Sequence, residues 1–158
     1  MKHPRGFSLI ELLLVVAVIL IIAAIAVPDF LQSRLRANEA SAVGSMRVIY
    51  SFAATYSITY PDVGYPPQLL TLGGVEPCTA SSTSACLIDD VLSQGSKGGY
   101  TFAWTGDGAT PSISFTRTGT PQAVGATGQR QFCTDQSGLI HYDPSGAGCD
   151  PNSSSTLQ

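Results

Sequence analysis

GFSLIELLLVVAVILIIAAIAVP, residues 6–28, sets one carboxylate, Glu11, inside an otherwise apolar run that closes at Val27. Between Leu12 and Val27 stand sixteen consecutive uncharged residues, and Phe7, Leu9 and Ile10 extend the run on the near side of the acid. A helix rises about 1.5 Å per residue and about 20 residues cross the hydrocarbon of a bilayer, so residues 7–27 are long enough to span one. A charged side chain within such a span costs about 2.5–3.5 kcal/mol on insertion scales and marks a functional position. Lys2 and Arg5 flank the run and no further cation occurs until Arg34. The positive-inside bias therefore leaves the N-terminus in the cytoplasm and sends the chain beyond Pro28 outward. A secretory signal would show a shorter apolar region followed by a small-x-small cleavage site. Here the run passes into a polar helical pattern instead, and the junction of Gly6 and Phe7 is the better candidate for processing.

Gly6, Phe7 and Glu11, with a short basic leader and an apolar helix interrupted at Pro28, resemble the N-terminal signature of type IV pilins and pseudopilins. The resemblance covers roughly the first 60 residues. It implies that a membrane prepilin peptidase cuts after Gly6 and methylates the new N-terminus at Phe7. It also implies that the helix leaves the bilayer to pack with copies of itself in a filament core. Cleavage creates an ammonium at Phe7, and Glu11 of a neighbouring copy could pair with it in a low-dielectric bundle. Breaking such a buried pair typically costs about 3–5 kcal/mol, enough for it to set register. The competing reading is that Glu11 merely snorkels to the cytoplasmic interface. Phe7, Glu11 and Pro28 are thus the expected assembly residues.

Composition bounds the remainder. Removing residues 1–6 from the 158 leaves enough chain for one domain with an appended anchor. The formal net charge is −3, and loss of Lys2 and Arg5 makes it more negative, which argues against a strongly basic nucleic-acid face. Arg34, Arg36 and Arg47 are read as a solvated or subunit-facing helix surface. The four cysteines, Cys78, Cys86, Cys133 and Cys149, all follow the span, where an oxidising compartment favours disulfides. Sequence alone permits three pairings. Local loop closure favours Cys78 with Cys86 and Cys133 with Cys149, and the second pair resembles the C-terminal disulfide loop of many pilins. Zinc has little support, since no CxxC pair occurs and His141 is the only histidine left after cleavage.

The expected fold is α+β. Residues 1–6 form a leader, and 7–28 the transmembrane or filament-core part of a long helix, with a kink or local unwinding at Pro28 that could let the helix stretch or bend. Residues 29–60 continue it as an amphipathic helix into the globular domain. There Leu35, Ala42, Val43, Met46, Ile49, Tyr50, Ala53 and Tyr56 fall three or four apart and should cover a sheet. Arg34, Arg36, Asn38, Glu39, Ser41 and Arg47 belong to the opposite face, free for solvent or neighbouring subunits. From Phe7 to Tyr60 such a helix would be about 80 Å long, of use to a polymer more than to a lone domain. Residues 61–99 read as a surface αβ-loop with a short helix around 85–92, and residues 100–150 as an antiparallel sheet of about four strands with the C-terminal disulfide loop. Tyr100, Phe102 and Trp104 alternate with small or polar residues, as do Ile113 and Phe115, and Gly106, Asp107 and Gly108 supply a turn between them. Further strands are expected around 130–134 and 139–142, and residues 151–158 as a flexible tail.

Catalytic chemistry is scarce, and the chain is not read as an enzyme. Ser137, His141 and Asp143 cluster in sequence, but strand and turn chemistry explain them. Asp135, Asp143 and Asp150 raise a calcium question, because major pseudopilins resemble this layout with a calcium-stabilised loop; the spacing matches no defined motif, and no cofactor is expected. The reading is a homopolymeric subunit of a type IV pilus-like filament serving adhesion, twitching motility or DNA uptake. It would be an inner-membrane precursor first and extracellular afterwards, with a prepilin peptidase and an assembly platform as partners and no nucleic acid by default. Two alternatives stay open: a periplasmic major pseudopilin of a type II secretion system, and a membrane-tethered binding domain that never polymerises. A third, a minor pilin binding DNA through a local basic patch, predicts salt-dependent affinity.

Overall fold

The computed structural model describes residues 7–157. The leader expectation, with Lys2, Arg5 and Gly6, lies outside the described residues, as does Gln158. The chain divides into two compact units, Met1–Arg34 and Leu35–Gln158. Helix α1 (Leu9–Thr59) begins in the first and ends in the second. It continues through Pro28, so of the kink or local unwinding expected there the unwinding does not occur. Proline removes the one bond its N–H would have made to the preceding turn, and the neighbouring helical bonds keep α1 going.

In the second unit the expected stripe is the buried one. Ala42, Met46, Ile49, Ala53 and Tyr56 are buried, with Val43 half-buried beside them. They cover an antiparallel sheet whose six strands follow in chain order: β1 (Ser96–Lys97), β2 (Tyr100–Gly106), β3 (Phe115–Pro121), β4 (Gln131–Asp135), β5 (His141–Asp143) and β6 (Ser155–Thr156). The fold is therefore α+β with a long N-terminal helix on an antiparallel meander. Along β2 the period of two works as the sequence implies: Tyr100 and Phe102 point inward while Thr101 and Ala103 face out. Trp104 is half-buried, stacks on Phe115 and donates its indole N–H to the Pro66 carbonyl at 2.8 Å.

Several details differ from expectation. There are six strands rather than four, because β1 and β6 have two residues each and leave no alternation to read. The second long strand starts at Phe115, and Ile113, expected to alternate with Phe115 in it, is exposed ahead of it. The cause is Asp107, whose carboxylate accepts the backbone N–H groups of Ala109, Ile113 and Ser114, so the β2–β3 connection extends well past Gly108. The helix expected around 85–92 is the short α2 (Asp90–Ser93), capped by the Asp89 carboxylate on the Leu92 N–H, and a 3-10 turn lies at Leu69–Leu72. The C-terminal segment is not a loose tail, since β6 pairs with β5 and the Leu157 N–H donates to the Ile140 carbonyl at 2.7 Å.

Gly128 shows how closely the β3–β4 connection approaches the sheet. A Cβ there would strike the Tyr100 ring and hydroxyl, and that hydroxyl donates to the Arg130 carbonyl at 2.8 Å.

Candidate assembly site

Helix α1 starts on a local device. The Ser8 carbonyl accepts from the N–H groups of Glu11 and Leu12, at 3.1 and 3.2 Å, and the Glu11 carboxylate turns back to accept the Ser8 N–H at 3.0 Å. This is the carboxylate half of a capping box, and it sets negative charge at the positive end of the helix dipole. Phe7 precedes it with its side chain exposed. Glu11 is therefore not a stray charge in an apolar helix. It satisfies one orphan donor, and among the described residues its carboxylate accepts no other hydrogen bond.

Beyond Glu11 the helix is apolar on every side. Leu12, Leu13, Leu14, Ile19, Leu20 and Ile21 are all exposed, and the stretch is long and apolar enough to cross a membrane, with none of it covered. Fully burying one such side chain stabilises by about 1.5–3 kcal/mol, so the whole stretch carries on the order of 20 kcal/mol or more of unrealised burial. Lipid or other apolar helices must cover it. Past Pro28, the Ser33 hydroxyl donates to the Asp29 carbonyl at 2.9 Å.

The second unit corrects the expected polar face of α1. Glu39 is buried, not solvent-facing: its carboxylate accepts the N–H groups of Gln129 and Arg130 at 2.9 and 3.1 Å and pairs with the Arg130 guanidinium at 2.7 Å. Burial alone would raise its pKa, but the two backbone N–H groups and the hydrogen-bonded, charged Arg130 guanidinium hold it below the usual value. Asn38 is half-buried and donates to the Thr127 carbonyl at 2.9 Å. Glu39 stands four residues after Leu35 and three before Ala42, in register with the buried stripe, and that spacing is the signal that could have placed it inside; its partner, 91 positions away, has no mark in the sequence.

Arg117 was also unmarked by sequence. It is fully buried in the inward row of β3, its Nε 3.2 Å from the Met46 sulfur and its Nη2 donating to the Met46 carbonyl. Its Nη1 has no partner among the described residues, and burial pushes the guanidinium down to about 9. The only hint was its place in the Phe115, Arg117, Gly119 alternation.

The cysteines pair as expected, Cys78 with Cys86 and Cys133 with Cys149. The three carboxylates raised for calcium each close their own turn. Asp135 accepts the Ser137 N–H at 2.8 Å, Asp143 accepts from the Ser145 hydroxyl and the Ala147 N–H, and Asp150 accepts the Asn152 N–H at 2.9 Å. The Ser145 hydroxyl foremost holds Asp143 below the usual carboxylate range, and the Asn152 N–H does the same for Asp150. Among the described residues no three metal-ligating side chains come together. His141 Nδ1 lies 2.8 Å from the Ser154 carbonyl, not against Ser137.

Comparison with known proteins bears on the N-terminal segment first. Residues 1–27 match the prokaryotic N-terminal methylation motif. The chain is 40% identical over 58 residues to the type IV wide pilus major component PilA4 of Thermus thermophilus, covering 37% of this chain and 44% of that protein. It is 35% identical over 71 residues to the type IV major pilin protein PilA of Myxococcus xanthus, covering 40% of this chain and 32% of that one. The matches thus span less than half the length of these relatives. No solved structure matches. The resemblance carried by Gly6, Phe7 and Glu11 is the one these comparisons return.

Proposed function

We propose that this chain, a type IV pilin relative with a prepilin-type N-terminus, is a structural subunit of a type IV pilus-like filament. The observation that carries the reading is the wholly uncovered apolar stretch of α1, interrupted only by a carboxylate that caps its first turn. Such a helix is at home in lipid as a precursor, with the N-terminus cytoplasmic by the charge flanking it. It is equally at home among copies of itself, so extraction exchanges one apolar environment for another at small net cost.

Processing supplies the direction. A prepilin peptidase cutting between Gly6 and Phe7 leaves an ammonium one residue before Ser8, and methylation keeps it charged. In a bundle of copies displaced along their axes, that ammonium meets the carboxylate of a neighbour's Glu11, and Glu11 acts as the register device. An assembly platform in the membrane would perform the extraction, and the filament would then stand outside the cell. A type II secretion pseudopilin would share this N-terminus. The relatives' names, both pilus components, favour the pilus.

The test is the intact mass of the chain recovered from sheared surface material. The reading expects a chain beginning at Phe7 and carrying a methyl group there. An uncut chain found solely in the membrane fraction contradicts it and leaves the tethered-domain reading.

A further inference from the structure

The second unit is acidic but holds its free charges apart. Lys97 pairs with Asp89 at 2.9 Å, Arg130 pairs with Glu39, and Arg117 is buried under α1. That leaves Arg36 and Arg47, both exposed and, among the described residues, without an ion pair. They stand eleven residues apart on α1, close to three turns, and so share one side of it about 16 Å from each other. Together with Arg130 they rim a groove of about 320 Å³ whose floor is Ala40, Val43 and Gly44. A Cβ added at Gly44 would meet nothing within 4 Å, so the floor is open. Glu39 also borders the groove, but it is committed to Arg130 and two backbone N–H groups and leaves Arg36 and Arg47 uncompensated.

The carboxylates are distributed in the opposite sense. Those of Asp89, Asp90, Asp107, Asp135, Asp143 and Asp150 accept hydrogen bonds from their own loops or turns. Asp62 and Glu76 are exposed and accept none among the described residues. Both lie past the C-terminal end of α1. Asp62 follows Thr59 by three residues, and Glu76 borders the loop closed by Cys78 and Cys86, which the Tyr56 hydroxyl ties to α1 through the Ser82 carbonyl. Beside Glu76, Val75 is 78% exposed.

We propose that the groove between Arg36 and Arg47 docks the acidic end of a second copy of this chain. The neighbour's Asp62 and Glu76 carboxylates sit against the two guanidinium groups, and its Val75 covers the floor at Ala40 and Gly44. Free cations near one end of this part of α1 and free carboxylates past the other suit parallel copies displaced along it by roughly 20 to 40 Å. The contact joins unlike surfaces, so it repeats from copy to copy instead of closing a dimer. The inference rests on the filament reading and adds to it a specific subunit contact outside the apolar helices.

The test uses full-length chains in producing cells, with filament yield in sheared material as readout. The double variant Arg36→Glu, Arg47→Glu should lower yield at least about tenfold, because carboxylates would then face carboxylates, while leaving the membrane level of the chain unchanged. Adding Asp62→Arg and Glu76→Arg should restore most of the yield. A second measurement does not depend on those variants: filaments of Arg47→Lys, treated with a zero-length carbodiimide, should yield an intermolecular amide between position 47 and Asp62 or Glu76. Parental yield in the double variant, no recovery on the charge swap, or absence of that amide each overturns the docking contact alone. Absence of filaments from the parent chain instead removes the filament reading on which it rests.

Discussion

Glu39 and Arg117 carry opposite lessons about a buried charge. Glu39 has a full set of donors, so Glu39→Ala leaves two backbone N–H groups and a half-exposed guanidinium without an acceptor. We expect a loss of about 2–3 kcal/mol, read by denaturant unfolding of the detergent-solubilised chain. The pH dependence follows from its lowered pKa. Its contribution is fully present above its ordinary value of 4.5 and is lost as pH falls through the lower folded value, so the gap between parent and Glu39→Gln should narrow in that window. A gap constant down to acid pH would contradict this. Arg117 has no carboxylate, and its charge is a cost to the fold. Arg117→Met should therefore be neutral or stabilising by about 1–2 kcal/mol, whereas Arg117→Ala should destabilise by about 2 kcal/mol through the cavity it leaves. Unfolding midpoints check this, and a Met variant less stable than the Ala variant would refute it. Neither role was legible in sequence, because both depend on partners in distant elements.

At the scale of elements, the most local signals were the most legible. Alternation in Tyr100, Phe102 and Trp104 and the stripe from Ala42 to Tyr56 depend on the period of one strand and one helix, and they held. The start of β3 was misread because the Asp107 carboxylate reaches Ser114, seven residues on, and delays the strand. The C-terminal segment was misread because two residues pairing with β5 leave no pattern. The disulfides staple what the short elements cannot hold by themselves. In the chain-entropy account a loop of 16 residues is worth about 3 kcal/mol and one of 8 about 2.5 kcal/mol. Cys133 is also fully buried on β4, so replacing both Cys133 and Cys149 by serine should cost more than the same change at Cys78 and Cys86. Thermal unfolding of the two double variants gives the order.

At the scale of the whole molecule, residues 7–27 state a need for apolar surroundings that lipid or other apolar helices would meet. That need was fully legible, since it requires only length, composition and one carboxylate. What sequence could not give is how the exposed charges of the second unit are allotted, because pairing of Arg130 and Lys97 is what leaves Arg36 and Arg47 free. Salt should weaken filaments through those exposed charges while sparing the apolar contacts, so high ionic strength should shorten sheared filaments more readily than it releases single chains. Electron microscopy before and after salt would show it.

The most direct test of polymerisation through α1 is negative-stain electron microscopy of sheared material from cells making the parent chain or Glu11→Ala, with the chain identified in the filaments by immunogold. The account predicts labelled filaments from the parent and few or none from the variant, whose chain stays in the membrane. Equal filaments from both would remove Glu11 as the register device, and no labelled filaments from the parent would contradict the claim that this chain is a filament subunit.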